Sequence, residues 1–155
     1  MVAAITSYGG TIDKFIGDGV LAVFGGVISL ANPAEAALDA ALAMRAKLQS
    51  LNDQRLEAGL APLDCGIGIT FGEVLHGSVG STGRKDITVL GDVVVAATQL
   101  EATTAELRTP VLVSASLVDA LPPERRHALA PLGEVKLSGR KQPMLVYAVD
   151  ILDGG

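Results

Sequence analysis

Residues 11–25 read TIDKFIGDGVLAVFG. Two short apolar-alternating runs flank an Asp-Gly pair, the strongest short-range hairpin signal in this chain. In the first run, TIDKFIG, Ile12 and either Phe15 or Ile16 supply the apolar positions, and in the second, VLAVFG, Leu21 and Phe24 do so. Asp18-Gly19 is the expected two-residue turn, with its positive φ supplied by that pair. A hairpin this early places an antiparallel ribbon at the start of the fold.

Working outward, Met1–Tyr8 fits the last two turns of a helix stopped by Gly9-Gly10. A strand is expected before such a fragment. Downstream, a loop to Asn32 leads into a helix over Pro33–Glu57, with Pro33 in its first turn and Glu35 placed to meet the helix dipole. Ala37, Ala41, Met44, Leu48 and Leu51 recur at steps of four and three, which marks its core face. DCGIGITFG and EVLHGSVG read as two glycine-rich strands joined tightly around Gly72, and DITVLG as another strand. Asp92–Leu107 reads as a second helix with Val93, Ala97, Leu100 and Thr104 on one face. PVLVS is a strand, SLVDAL a short helix, and LGEVKLSG with PMLVYAVD a closing hairpin-like pair. This order predicts an α+β domain, a mostly antiparallel sheet with helices on one face.

The chain has 155 residues, the size of one domain, so residues 1–155 are read as a single unit. Hydrophobic residues make up 49% and charged residues 19%, which excludes disorder. Aromatic content of 3% without tryptophan argues against base-stacking platforms. A net charge of −5 makes nucleic acid and anionic membranes poor partners. The longest uncharged stretch, Gly19–Ala34, is broken by glycines and by Asn32-Pro33, so no span is expected. MVAAITSYGG has no basic n-region or cleavage signature. A cytoplasmic domain is expected, and its parent protein could carry a membrane anchor elsewhere. The one cysteine, Cys65, excludes an internal disulfide and reads as a small core residue.

Three segments can carry chemistry. Asp18 at a turn tip is free to meet a hard cation, and Lys14, four residues earlier, shares its strand face by period two. Such a pair is either a cross-strand ion pair or two ends of a nucleotide site. Gly91-Asp92 is a simple helix start, and Val95 and Gln99 lie one turn apart on one helix face. Lys136, Arg140 and Lys141 flank Gly139, as a solvated tip or a phosphate contact. His76 and His127 have no partner at ligand spacing, and no catalytic triad, zinc motif or dinucleotide fingerprint is present.

Together, GGTIDKFIGDGVLAVFG, PAEAALDAALAMRAKL, CGIGITFGEVLHGSVGS, DITVLGDVVVAATQLE and LGEVKLSGRKQPMLVYAV resemble the class III adenylate/guanylate cyclase catalytic domain from Gly9 to Val149. The resemblance implies a ferredoxin-like nucleotidyl cyclase fold and head-to-tail dimers with ATP or GTP at the interface. It implies two metal ions, Mg²⁺ or Mn²⁺, that activate the ribose hydroxyl and clamp the α-phosphate. The products would be a 3′,5′-cyclic nucleotide and pyrophosphate. Asp18 matches the second metal aspartate, Lys14 the purine-reading lysine and Thr88 the second purine-reading position, which favours ATP over GTP. Arg140, ahead of Lys141, matches the basic residue that meets the triphosphate.

Two positions depart from the family pattern. Val95 stands where the family has an asparagine and Gln99 where it has the transition-state arginine. The family's opening strand, with the first metal aspartate, has no match, so this resembles a partial domain with one metal ligand. One lost transition-state donor typically costs about 10²–10³ in rate. The expectation is an impaired adenylate cyclase domain, or alternatively a non-catalytic dimerisation or regulatory module, paired with itself or with another cyclase chain. Loss of the opening strand further predicts a dimer or higher oligomer.

Overall fold

The computed structural model describes residues 1–79, 82 and 86–149. In chain order the elements are α1 (Val2–Ser7), β1 (Thr11–Ile16), β2 (Gly19–Val23), α2 (Pro33–Glu57), β3 (Ile67–Ile69), β4 (Leu75–Val79) and β5 (Asp86–Leu90). There follow α3 (Asp92–Glu106), β6 (Val111–Ser114), α4 (Ala115–Ala120), α5 (Pro123–Arg126), β7 (Leu129–Val135) and β8 (Met144–Val149). Among the described residues the strands form three sheets: the β1–β2 hairpin, the β4–β5 hairpin, and a four-stranded sheet ordered β3-β6-β8-β7. In the last, β3 runs parallel to β6, while β6–β8 and β8–β7 are antiparallel. The fold is thus α+β with a mixed sheet.

The helices cover both faces of the four-stranded sheet, which corrects the one-faced expectation. Val111, Val113 and Val149 pack with Ala34, Leu38 and Ala41 of α2, with Leu117 of α4 and with Leu121 just after it. Leu112 and Val146 pack on the other side, against Leu100 of α3. The cause is legible in β6, where all four residues are buried. A strand with both faces covered needs an unbroken apolar run, and Val111-Leu112-Val113 is one.

The contact of α3 with β3 depends on glycine. Ile67 and Ile69 point to the α2 side. Between them Gly68 faces α3, where a Cβ would lie 2.5 Å from the Glu101 nitrogen and 2.6 Å from the Ala97 oxygen. A Cβ on Gly72 would lie 2.5 Å from Val93 Cγ2, and Thr70 donates its hydroxyl to the Val93 carbonyl at 2.7 Å. The expected Val93, Ala97, Leu100 and Thr104 face of α3 is therefore the one laid on β3. The join around Gly72 is no hairpin: β3 pairs with β6, whereas β4 leaves to pair with β5.

Two other expectations need adjustment. The β1–β2 turn is one residue earlier than Asp18-Gly19. Ile16 pairs with Gly19, so Gly17-Asp18 form the loop, and Gly17 carries the positive φ of 60°. That is the pattern of a turn with glycine first, as in type II′. Helix α2 matches its expected bounds, with Asn32 capping the Glu35 nitrogen at 3.3 Å, but Leu51 is exposed because the core ends near Leu48. Short α5 was not foreseen. It anchors through Arg125, which donates to Glu35 at 2.9 Å and also to Asp39 on α2.

Candidate functional site

The α3 helix is N-capped by Gly91, whose φ of 148° suits glycine, with Asp92 as its first residue and no side-chain capping hydrogen bond. From this start, Val95 and Gln99 project from one face toward the segment between β7 and β8. That segment is built on Leu137, which is buried, and on a turn in which the Arg140 nitrogen donates to the Leu137 carbonyl at 3.2 Å. Gly139, at φ 77°, lets the chain reverse there. Between helix and segment lies a cleft of about 400 Å³, lined among others by Asp92, Val95, Gln99, Ser138, Arg140 and Lys141. Val95, Gln99 and Arg140, separate in sequence, are thus brought together.

The cleft chemistry is uneven. Val95 is 56% exposed and offers only hydrocarbon. Gln99 Nε2 donates to the Ser138 carbonyl, and its Oε1 is buried with no hydrogen-bond partner among the described residues. Arg140 and Lys141 are exposed cations on the opposite wall. The arrangement can attract an anion, but its α3 face offers little to donate. Asp92 and Ser138 also line the cleft. They were missed because one read as a helix start and the other as an ordinary turn residue.

Lys14 and Asp18 do not line this cleft. They sit on the β1–β2 hairpin, whose first strand lies beside β5. The strand β1 ends at Ile16 and Asp18 lies in the turn beyond it, so the period-two relation that put Lys14 and Asp18 on one face does not reach Asp18. Lys14 Nζ instead lies 3.5 Å from Asp13 Oδ2, a carboxylate whose side chain is only 9% exposed. Asp13 is a residue the sequence reading did not single out; its position beside a lysine was the available signal. Asp18 is exposed in the turn. Thr88 pairs with Gly77 in the β4–β5 ribbon, and its side chain lies outside the described residues.

No group of three or more His, Cys, Asp or Glu side chains is placed to hold a metal among the described residues. Asp18 offers a single carboxylate, so these residues do not by themselves fit a pair of divalent ions, which need several oxygen ligands each. A second cleft, of about 470 Å³, lies between Arg45, Cys65, Glu101 and Arg108. Cys65 is half-buried there, and burial pushes its thiol pKa up, with Arg45 opposing. It is a poor nucleophile.

Comparison with known proteins settles the family. The family model for the adenylate and guanylate cyclase catalytic domain matches residues 6–150. The chain belongs to this family. The domain is 35% identical over 154 residues to an adenylate cyclase of Anabaena cylindrica, covering 96% of this chain and 30% of that protein. Indeed the cyclase domain spans less than a third of the length of the curated relatives it matches. Among solved structures, the guanylyl cyclase Cya2 superposes with a TM-score of 0.80 at 33% identity, covering 96% of this chain and 73% of that one. The adenylyl cyclase CyaB from P. aeruginosa gives 0.82 at 28%, covering 96% and 75%. Both adenylyl and guanylyl cyclases stand among these neighbours, so family membership leaves the base open. No helix among the described residues is long and apolar enough to cross a membrane.

Proposed function

We propose that this cyclase domain binds a nucleoside triphosphate, ATP in preference to GTP, pairs with a second cyclase domain in cyclic-nucleotide signalling, and turns nucleotide over poorly or not at all. The observation that carries this reading is the α3 wall of the cleft. Val95 has no hydrogen-bonding group, and the donor of Gln99 is engaged with Ser138. A transition state developing charge on phosphate needs donors already aimed at it. Arg140 supplies charge for the triphosphate on the facing wall, and Lys14 and Thr88 stand where the family reads the purine. By family resemblance Asp18 is a metal ligand for Mg²⁺ or Mn²⁺. The domain is proposed to be cytoplasmic, and its partner is either a second copy or a different cyclase chain.

The competing reading is a working adenylate cyclase, favoured by retention of Lys14 and Asp18. One assay separates them. The purified chain with ATP and Mg²⁺ or Mn²⁺ should bind ATP in calorimetry and yield no cyclic AMP above background. Turnover that vanishes in Asp18→Ala establishes the enzyme instead, and equal or tighter GTP binding overturns the purine preference.

A further inference from the structure

The Gln99 amide joins α3 to Ser138, 39 residues further along the chain, and both residues line the cleft. Its donor reaches a backbone carbonyl, a partner that no substitution at Ser138 other than a change of backbone path can remove. Its acceptor is buried with no hydrogen-bond partner among the described residues, so among them the amide is held by its donor side. Besides buried Leu137 at one end and the turn bond from the Arg140 nitrogen to the Leu137 carbonyl, the segment it catches is exposed throughout residues 138–143. Arg140 and Lys141 are part of that segment, so whatever orders its backbone orders both cations. Long flexible cations lose rotamer freedom on binding an anion, and a pre-ordered backbone lowers that cost.

We propose that Gln99 is a positioning residue: its amide latches the 138–143 segment onto α3 and holds Arg140 and Lys141 over the cleft in a form shaped for a polyphosphate. This rests on the nucleotide reading above and adds to it. At this position the side chain acts on the loop, not on a reacting phosphate. The cleft then retains an anion without advancing its chemistry, because the group nearest α3 is already spent on Ser138.

The test compares the full 155-residue chain with Gln99→Met, which keeps length and removes both the donor and the orphan acceptor, and with Gln99→Lys, which restores a donor. Hydrogen exchange at the amides of residues 138–142, without ligand, reads the latch. Calorimetry with inorganic tripolyphosphate reads its consequence. Exchange in this segment should speed up in Gln99→Met and return toward the parent rate in Gln99→Lys. Tripolyphosphate affinity should fall about threefold to tenfold in Gln99→Met, the worth of one hydrogen bond. Arg140→Gln should weaken tripolyphosphate at least as much while leaving segment exchange unchanged. If the parent chain binds ATP and Gln99→Met alters neither exchange nor affinity, the latch is overturned and the nucleotide reading survives. If the parent chain binds neither tripolyphosphate nor ATP, the polyphosphate assignment and the nucleotide reading both fall.

Discussion

Cys65 shows how a single side chain reports its surroundings. Burial beside Glu101 and Asp64 lifts its pKa above the ordinary 9.0, against the pull of Arg45. A raised pKa means that the folded state holds the thiol proton more tightly than the unfolded chain. Its contribution to stability is therefore complete below the unfolded value of 9.0 and declines as pH rises through the folded value. At pH 8, alkylation by iodoacetamide should be slower than for a free cysteine and should accelerate on adding denaturant; equal rates would show an open thiol. Arg125 makes a second residue-scale case. It sits between Glu35 and Asp39, with about a third of each carboxylate side chain exposed. The hydrogen bond to Asp39 lifts its already high pKa further. Arg125→Ala leaves two like charges one turn apart on α2, a change expected to cost about 0.5–1 kcal/mol after solvent screening. Urea denaturation would detect that change as a lower midpoint at constant slope.

Glycine works at the level of elements, in two different ways. Gly17 has open space where a Cβ would go, so Gly17→Ala meets only the strain of its positive φ, about 1–2 kcal/mol. Gly68 meets backbone atoms of α3 on that side, so Gly68→Ala forces the helix away from the sheet. Overpacking of this kind costs about 1–3 kcal/mol, and here more, because a helix must move. Thermal unfolding should show the larger loss for Gly68→Ala, and the reverse order would contradict the close approach of α3. These positions also mark what the sequence made legible. Periodicity gave α2 its bounds and α3 its packing face, because each helix buries one stripe. The hairpin was readable to within one residue, since both Gly17 and Gly19 flank Asp18 and only pairing decides which enters the turn. The two-sided sheet was missed because helix faces were read singly, although Val111-Leu112-Val113 carried the signal. At the site, the shared face of Val95 and Gln99 followed from spacing, but the bond from Gln99 to Ser138 could not, since it depends on how β7 and β8 bring a distant turn back to α3.

Across the whole molecule, apolar surface is left on the two hairpins. Leu75 and Leu90 are cross-strand partners that are 72% and 48% exposed, and Phe15 and Ile16 on β1 are 66% and 50% exposed. Hairpins outside the main sheet with such exposed apolar side chains are poorly placed in water, and a second cyclase domain is the partner expected to cover them. Sedimentation at micromolar concentration should give a dimer, and Leu75→Glu should shift it to monomer without loss of helical signal. A parent chain that sediments as a monomer at that concentration would remove homodimerisation from the proposal.

The glycine face of β3 also shapes which sequences this domain can explore. Along residues 66–69, the side chains of Ile67 and Ile69 on the α2 side sit in an apolar layer that accepts exchanges among aliphatics, while Gly66 and Gly68 on the α3 side have no volume to grow into. Saturation mutagenesis of this stretch should therefore return an alternating pattern: Ile67 and Ile69 tolerant of Val and Leu, Gly66 and Gly68 intolerant of any side chain. Evolutionary drift here is confined to every second position, and a compensating change can come only from α3, whose Thr104 meets Gly66 as its Ala97 and Leu100 meet Gly68. The two elements are thus bound to vary together, so the α3 wall of the cleft inherits its freedom to change from a strand on the far side of the helix.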